Sequence, residues 1–181
     1  MTGRRVSDPP GGEGAAHSAP VVRPVRDGDA EALAVVHVTS WRETYAGLVP
    51  ESMYDDSALV QRRSFWEQAV ARTLAGQARS TVRVAEVDGR IVGFAAAGPS
   101  RPGVQRRPLE LGMIYVLAEA HGRGIGHALL DAVIGDRPAQ LWVAEENSRA
   151  RRFYERHGFA WDGTRTLDEH LADLAEVLLV R

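Results

Sequence analysis

The feature that most constrains this chain is a run of glycines at a strand-to-helix boundary. Leu109 to Val116 reads as a strand, and Leu129, Leu130 and Val133 form the apolar stripe of a helix from about Gly124 to Ile134; between them stands His121-Gly122-Arg123-Gly124-Ile125-Gly126. Backbone N–H groups at a helix N-terminus, unobstructed by Cβ atoms, make a cradle for a pyrophosphate, and the helix dipole reinforces it. The same glycines would also serve a tight turn that binds nothing. Residue types sort the phosphate-binding families that use such a turn. All 22 basic side chains are Arg, so the Lys of a nucleotide P-loop is missing, and with it Schiff-base and pyridoxal phosphate chemistry. The dinucleotide pattern Gly-x-Gly-x-x-Gly/Ala fails in every frame, because His127 and Leu129 fall where the third small residue belongs. Glu145 ends a strand about 20 residues on, where a ribose-binding acid would sit. A hairpin rather than a first βαβ unit precedes the turn, which discounts that match.

The flanks give the fold class. Val21 to Val25 alternates as a strand, with Pro24 assigning it to an edge. Asp27 or Asp29 is placed to cap a helix carrying Leu33, Val36 and Val38 toward Trp41, and a second helix is expected from about Ser57 to Leu74, closed near Gly76. Thr81 to Val87 and Arg90 to Ala97 flank Asp88-Gly89, a two-residue hairpin signal. After the glycine turn and its helix come a strand at 141–144, a helix at 148–157 ending at Gly158, and strands at 159–161 and 176–180. The order β-α-α-β-β-β-α-β-α-β-β predicts one α/β domain over 21–181: a mixed, mostly antiparallel sheet of seven strands with helices on both faces. Residues 1–20, with no large aliphatic side chain after Val6, are expected to form a disordered tail.

A second segment reads Asn147-Ser148-Arg149-Ala150-Arg151-Arg152-Phe153-Tyr154-Glu155-Arg156-His157-Gly158-Phe159. Asn147 is a good N-cap, and Ala150, Phe153, Tyr154 and His157 share one helix face. Alone this describes an ordinary amphipathic helix. With the glycine turn, in that order and separation, the two segments resemble the GNAT superfamily of N-acyltransferases. The turn is similar to that family's Gln/Arg-x-x-Gly-x-Gly/Ala, matched at Gly124 and Gly126, with His121 where Gln or Arg is usual. The second segment is similar to its Asn-x-x-Ala-x-x-Phe-Tyr-x-x-x-Gly-Phe. Trp41 to Pro50 resembles a helix-to-loop segment beside the family's acceptor pocket, and Leu174 to Arg181 its last strand.

The resemblance implies an acetyl-CoA-dependent N-acetyltransferase. It places the cofactor along Ile114, Tyr115 and Val116, along His121, Gly122, Arg123, Gly124, Ile125, Gly126 and His127, and along Asn147, Ala150, Phe153 and Tyr154. It also implies that Asn147 bonds the pantetheine arm and that Tyr154 protonates the leaving thiolate. A phenol near pH 10 against a thiol near 8.5 makes that transfer feasible across a close hydrogen bond. An amine acceptor must lose a proton before attack, and Glu110, at the start of the strand leading to the turn, is the candidate base; a solvated strand-end Glu is an equal reading. Backbone N–H groups near Ile114 to Val116 would polarise the carbonyl.

Composition closes other classes. Cys is absent, which excludes disulfides, thiolate catalysis and iron–sulfur clusters, and the six His show no metal-ligand spacing. A net charge of -2 argues against nucleic acid as partner, and no apolar run approaches a membrane span or signal h-region. The expected protein is cytoplasmic, needs no metal, and acts on an amine of a small molecule or peptide, with a homodimer compatible. A non-catalytic acyl-CoA-binding or partner-binding domain of the same fold is the alternative. Trp142 stands where ribosomal-protein N-terminal acetyltransferases generally carry a Glu, which weighs against that subgroup.

Overall fold

The structure, a computed structural model, describes residues 18–181. Seven strands and four helices follow one another as β1 (Val21–Pro24), α1 (Ala30–Tyr45), α2 (Asp56–Leu74), β2 (Thr81–Val87), β3 (Arg90–Pro99), β4 (Leu109–Val116), α3 (Ile125–Ile134), β5 (Ala139–Ala144), α4 (Ser148–Arg156), β6 (Ala160–Asp168) and β7 (Leu174–Val180). They form one sheet in the order β1-β2-β3-β4-β5-β7-β6. Every neighbouring pair is antiparallel except β4 and β5.

That exception positions everything functional. The parallel register holds only at Leu109↔Ala139 and Glu110↔Gln140. Beyond these rungs the strands part, and the β5-facing backbone groups of β4 are released from the sheet. Gly112, opposite a register break at Ala96/Ala97, adds a bulge at the point of divergence.

Each sheet face has its own helical layer. On one, Ile125, Leu129, Leu130, Val133 and Ile134 of α3 pack on Ala95, Leu111, Leu141, Val143 and Leu179. On the other, Leu33 and Val36 of α1 and Trp66 and Val70 of α2 pack on Val84, Phe94, Ala96, Met113 and Tyr115. The expected hairpin forms at Asp88-Gly89, both residues with positive φ, and β1 with Pro24 is an edge strand as expected.

Three local expectations are corrected. Asp29 occupies the N-cap position of α1 but makes no cap hydrogen bond. Its carboxylate is engaged by Arg23 and by the Arg26 N–H at 2.7 Å, because a charge-assisted guanidinium pair outcompetes a backbone cap. β6 runs to Asp168, well past the expected 161; it is an edge strand with mostly exposed side chains, so it lacks apolar alternation. β5 and β7 also begin two residues earlier than expected, at Ala139 and Leu174. Of the expected tail, residues 1–17 lie outside the described residues. Ser18 donates its N–H to Asp88 Oδ1 at 3.2 Å and accepts from Arg123 at 3.0 Å.

Candidate active site

The three glycines of the turn serve two different ends. Gly122 and Gly124 have φ of 77° and 75°, the left-handed region that other residues enter only under strain. Gly126 has ordinary helical backbone, but a Cβ there would lie 3.2 Å from the Phe153 ring, so its absence lets α3 and α4 approach. The first N–H groups of α3 are free of intrahelical bonds by geometry, and the N-cap is a glycine without a side chain to occupy them. His121, the departure from the expected Gln or Arg, donates Nε2–H to the Val116 carbonyl at 2.7 Å. It ties the turn to the end of β4.

Above the strand divergence opens a cavity of about 700 Å³, bounded by the end of α1, β4, the turn, β5 and α4. Tyr45, Tyr154 and Asn147 meet in it. Asn147 caps α4 as expected, accepting from Ala150 N–H at 3.0 Å, and its side chain lies beside the Tyr45 phenol, which burial first and Glu176 second hold above the ordinary phenol range. Tyr154 is buried, and its hydroxyl has no hydrogen-bond partner among the described residues while its ring lines the cavity. Burial first, and the Tyr45 phenol second, push the Tyr154 hydroxyl well above the ordinary phenol range. Ser40 lines the same cavity with a buried hydroxyl that likewise lacks a partner among the described residues.

The remaining expected cofactor residues divide by face. Ile114 and Val116 point to the α3 layer and Tyr115 to the α1 layer, while all three border the cavity through β4. The Tyr115 hydroxyl accepts from Trp41 Nε1 at 2.9 Å, and its ring stacks on His37 at 5.2 Å. His37 is pushed down to about 3 by burial and by Arg62, and it stays neutral. Arg123 is not part of the cavity wall; it reaches back to Ser18. Ala150, Phe153 and His127 are all in the wall.

Glu110 stands apart from this cavity. It is 5% exposed, so it is not a solvated strand-end carboxylate; it accepts from Gln140 Nε2 at 2.9 Å and from Arg101 Nε at 2.7 Å. Gln140, fully buried and not foreseen from sequence, also accepts from the N–H groups of Arg106 and Arg107 and donates to the Val104 carbonyl. It pins the loop before β4 to the root of the divergence.

A second cavity of about 400 Å³ lies near this root, with Arg101, Trp142, Asp168, Glu169 and Glu176 in its wall. Trp142 borders both cavities. Burial, Asp168 and Glu110 hold Glu176 above the usual carboxylate range, against the opposing pull of Arg101. Glu176 was legible in principle: it is a lone carboxylate inside the apolar run Leu174 to Val180. Among the described residues no group of three or more His, Asp or Glu side chains could hold a metal ion, and no helix is long and apolar enough to cross a membrane.

Residues 78–160 match the family model described as the acetyltransferase (GNAT) domain. An uncharacterized N-acetyltransferase of Archaeoglobus fulgidus is 32% identical over 120 residues, covering 62% of this chain and 76% of that protein. The chain belongs to the GNAT acetyltransferases. A probable N-acetyltransferase of Mycobacterium tuberculosis is 28% identical over 146 residues, covering 78% of this chain and 80% of its relative. Among solved structures, the PaiA N-acetyltransferase of Thermoplasma acidophilum in complex with coenzyme A superposes with a TM-score of 0.69 at 22% identity, over 91% of this chain and 99% of that one. This GNAT chain is therefore an acyltransferase, and its open seven-stranded sheet flanked by helices is the fold expected from its two motifs.

Proposed function

We propose that the domain over 21–181 transfers an acetyl group from acetyl-CoA to a primary amine of a small molecule or peptide, by direct attack with both substrates bound. The observation that carries this reading is the divergence of β4 from β5 directly above a glycine cradle and a Tyr154 hydroxyl with no hydrogen-bond partner among the described residues. The residues present suit a CoA thioester. Free N–H groups at the start of α3 suit its diphosphate. The released backbone of β4 suits its amide-rich arm, and the orphaned Ser40 hydroxyl offers a further polar contact. The coenzyme A complex of the Thermoplasma protein, whose fold this chain shares, supports the same ligand.

The amine enters from the second cavity, past Trp142, where Asp168, Glu169 and Glu176 favour a cationic group. An acceptor amine is protonated at neutral pH and must lose that proton before its lone pair attacks the thioester carbon. Glu176, rather than Glu110, is the base, because it faces the cavity and its proton affinity is raised toward the working pH. Glu110, held by Gln140 and Arg101, contributes by raising Glu176. Backbone N–H groups of β4 near Ile114 to Val116 polarise the carbonyl. As the C–N bond forms and the C–S bond breaks, the Tyr154 hydroxyl donates to the departing sulfur, and the second proton, released from the new amide nitrogen to solvent, is matched by one that restores the phenol. Its raised proton affinity makes it a hydrogen-bond donor first, with proton transfer following once thiolate charge has developed.

The test is thiol release from acetyl-CoA across a panel of amines and peptides. Amine-dependent release above the hydrolysis background is expected. Tight CoA binding with no release for any amine would favour the binding-domain alternative.

A further inference from the structure

The loop between β3 and β4 carries a guanidinium that is only half used. Arg101 donates its Nε–H to Glu110 Oε1 at 2.7 Å and its backbone N–H to Glu110 Oε2 at 3.4 Å. Glu110 is buried and takes a further bond from Gln140, so the carboxylate that orients Arg101 is itself fixed. The loop is fixed as well. Ser100 reaches the Pro108 carbonyl through its N–H and the Arg107 carbonyl through its hydroxyl, and Gln140 clamps Val104, Arg106 and Arg107. The two terminal nitrogens of Arg101 have no hydrogen-bond or ion-pair partner among the described residues, and the side chain stands in the wall of the second cavity, of about 400 Å³. Glu176 stands in the same wall, half-buried, with no hydrogen bond or ion pair to another described residue. It pairs with Ala144 in register, two residues from Trp142, so carboxylate and indole are diagonal neighbours on one sheet face. Arg101 acts on Glu176 through space, which sets a short span between the two charges.

The charges of this wall restrict what it can hold. Among the described residues Arg101 is its one cation, against Asp168, Glu169 and Glu176, so a phosphate dianion or a lone carboxylate is repelled. A simple alkylamine suits the carboxylates but gives the guanidinium nothing in return for the water it displaces. A small zwitterion satisfies both. We propose that the acceptor is a free α-amino acid, its carboxylate held by the two terminal nitrogens of Arg101 and its amine delivered to Glu176 beside Trp142. The end-on fork of a guanidinium matches both oxygens of a carboxylate, which an ammonium does not. A peptide N-terminus brings a neutral amide to that point, with one oxygen for two donors. The inference rests on the acetyl-transfer reading above and names its acceptor. The bonds made and broken are the same; Arg101 adds selection and position.

Thiol release from acetyl-CoA with the proteinogenic L-amino acids, each set against its own carboxamide, tests it. For the preferred amino acid, wild-type kcat/KM is expected to exceed that of the carboxamide by about tenfold to a hundredfold. Intrinsic reactivity runs the other way, because a carboxamide makes the neighbouring ammonium more acidic and supplies more free amine. Arg101→Ala should raise KM for the amino acid, leave it unchanged for the carboxamide, and bring the ratio near one. Arg101→Lys, which keeps the charge without the fork, should recover only part of it. Because Arg101→Ala leaves Glu110 buried without its ion-pair partner, it is repeated together with Glu110→Gln, which removes that charge and keeps an acceptor for Gln140. The same collapse of the ratio is expected. Carboxamides or simple amines that match or outdo the amino acids in wild type would overturn the inference and leave amine acetylation standing. A preference that survives the loss of Arg101 would also overturn it, as would an equal loss for both acceptors, which assigns Arg101 to anchoring Glu110 alone. Release with no amine of any kind would overturn both readings.

Discussion

The two helical layers bury different chemistry. The α3 layer is aliphatic: Ile125, Leu129, Leu130, Val133 and Ile134 are nearly inaccessible against a sheet face of Ala, Val and Leu, and its contribution to the cleft is mostly backbone. The α1–α2 layer buries aromatic and polar groups together. Trp66 Nε1 donates to His37 at 3.3 Å, Trp41 donates to Tyr115, Arg62 lies over Trp41 at 5.1 Å, and Ser40 is left with no partner among the described residues. A dry aliphatic platform fixes a helix terminus rigidly, which suits a ligand that is the same for every turnover. The α1–α2 layer instead offers side chains to the first cavity, among them Ser40, Glu43, Thr44 and Tyr45. The carboxylates of the second cavity extend that second character beyond the divergence.

The sharpest way to break this contrast is at Tyr154, where the two sides meet. Tyr154→Phe keeps the buried ring and removes the hydroxyl, so kcat should fall about 10²- to 10⁴-fold with CoA affinity nearly unchanged. Normal turnover with a lowered melting temperature would make Tyr154 a packing residue. On the acceptor side, Glu176→Gln should lower kcat by about 10²-fold while raising the melting temperature at pH 8. The sign follows from linkage. A carboxylate whose folded-state proton affinity is raised binds more protons when folded, so stability falls as pH rises from the ordinary Glu value through the raised one. The amide removes that loss, and the stability gain should vanish near pH 4.

Next comes the cofactor side. Gly124→Asp combines strain at positive φ with a negative charge beside the diphosphate cradle, and should weaken CoA by about tenfold or more while leaving amine KM unaffected. Unchanged calorimetric affinity would remove the turn from the binding site. The smallest effect is expected at the chain start. A chain shortened to begin at Ala19 loses, among the described residues, the exposed Ser18 bonds to Asp88 and Arg123, and its melting temperature should change by less than about 4 °C. A larger loss would show that residues 1–18 contribute to the core.

What was legible in the sequence follows the same division. The glycine turn, the Asn147 cap, the α4 register and the Asp88-Gly89 hairpin are local: spacing and residue type dictate them within a dozen residues. The two motif segments then carry the rest of the fold with them. Gln140 and Glu176 gain their meaning only from register, Gln140 by lying opposite Glu110 and Glu176 by facing β6 across from Thr166. Asp29 was misread because its partner, Arg23, belongs to another element, and β6 because an exposed edge strand carries no burial signal. Glu110 was legible as an acid in a strand; that its oxygens are held by a neighbouring strand and loop was not.

Gln140 makes the fork a fixed joint. Its amide makes four protein hydrogen bonds, to the Arg106 and Arg107 N–H groups, the Val104 carbonyl and Glu110, which uses the full capacity of the group. The strands can neither zip further together nor peel further apart without breaking that set. The opening angle of the cleft is thus stored in one side chain, upstream of any ligand. The segment it clamps, 100–108, carries Arg101 and Val104 into the wall of the second cavity and is absent from the wall of the first. Under the proposed function, sequence drift in that segment would retune which amine is admitted without reaching the thioester end of the cleft.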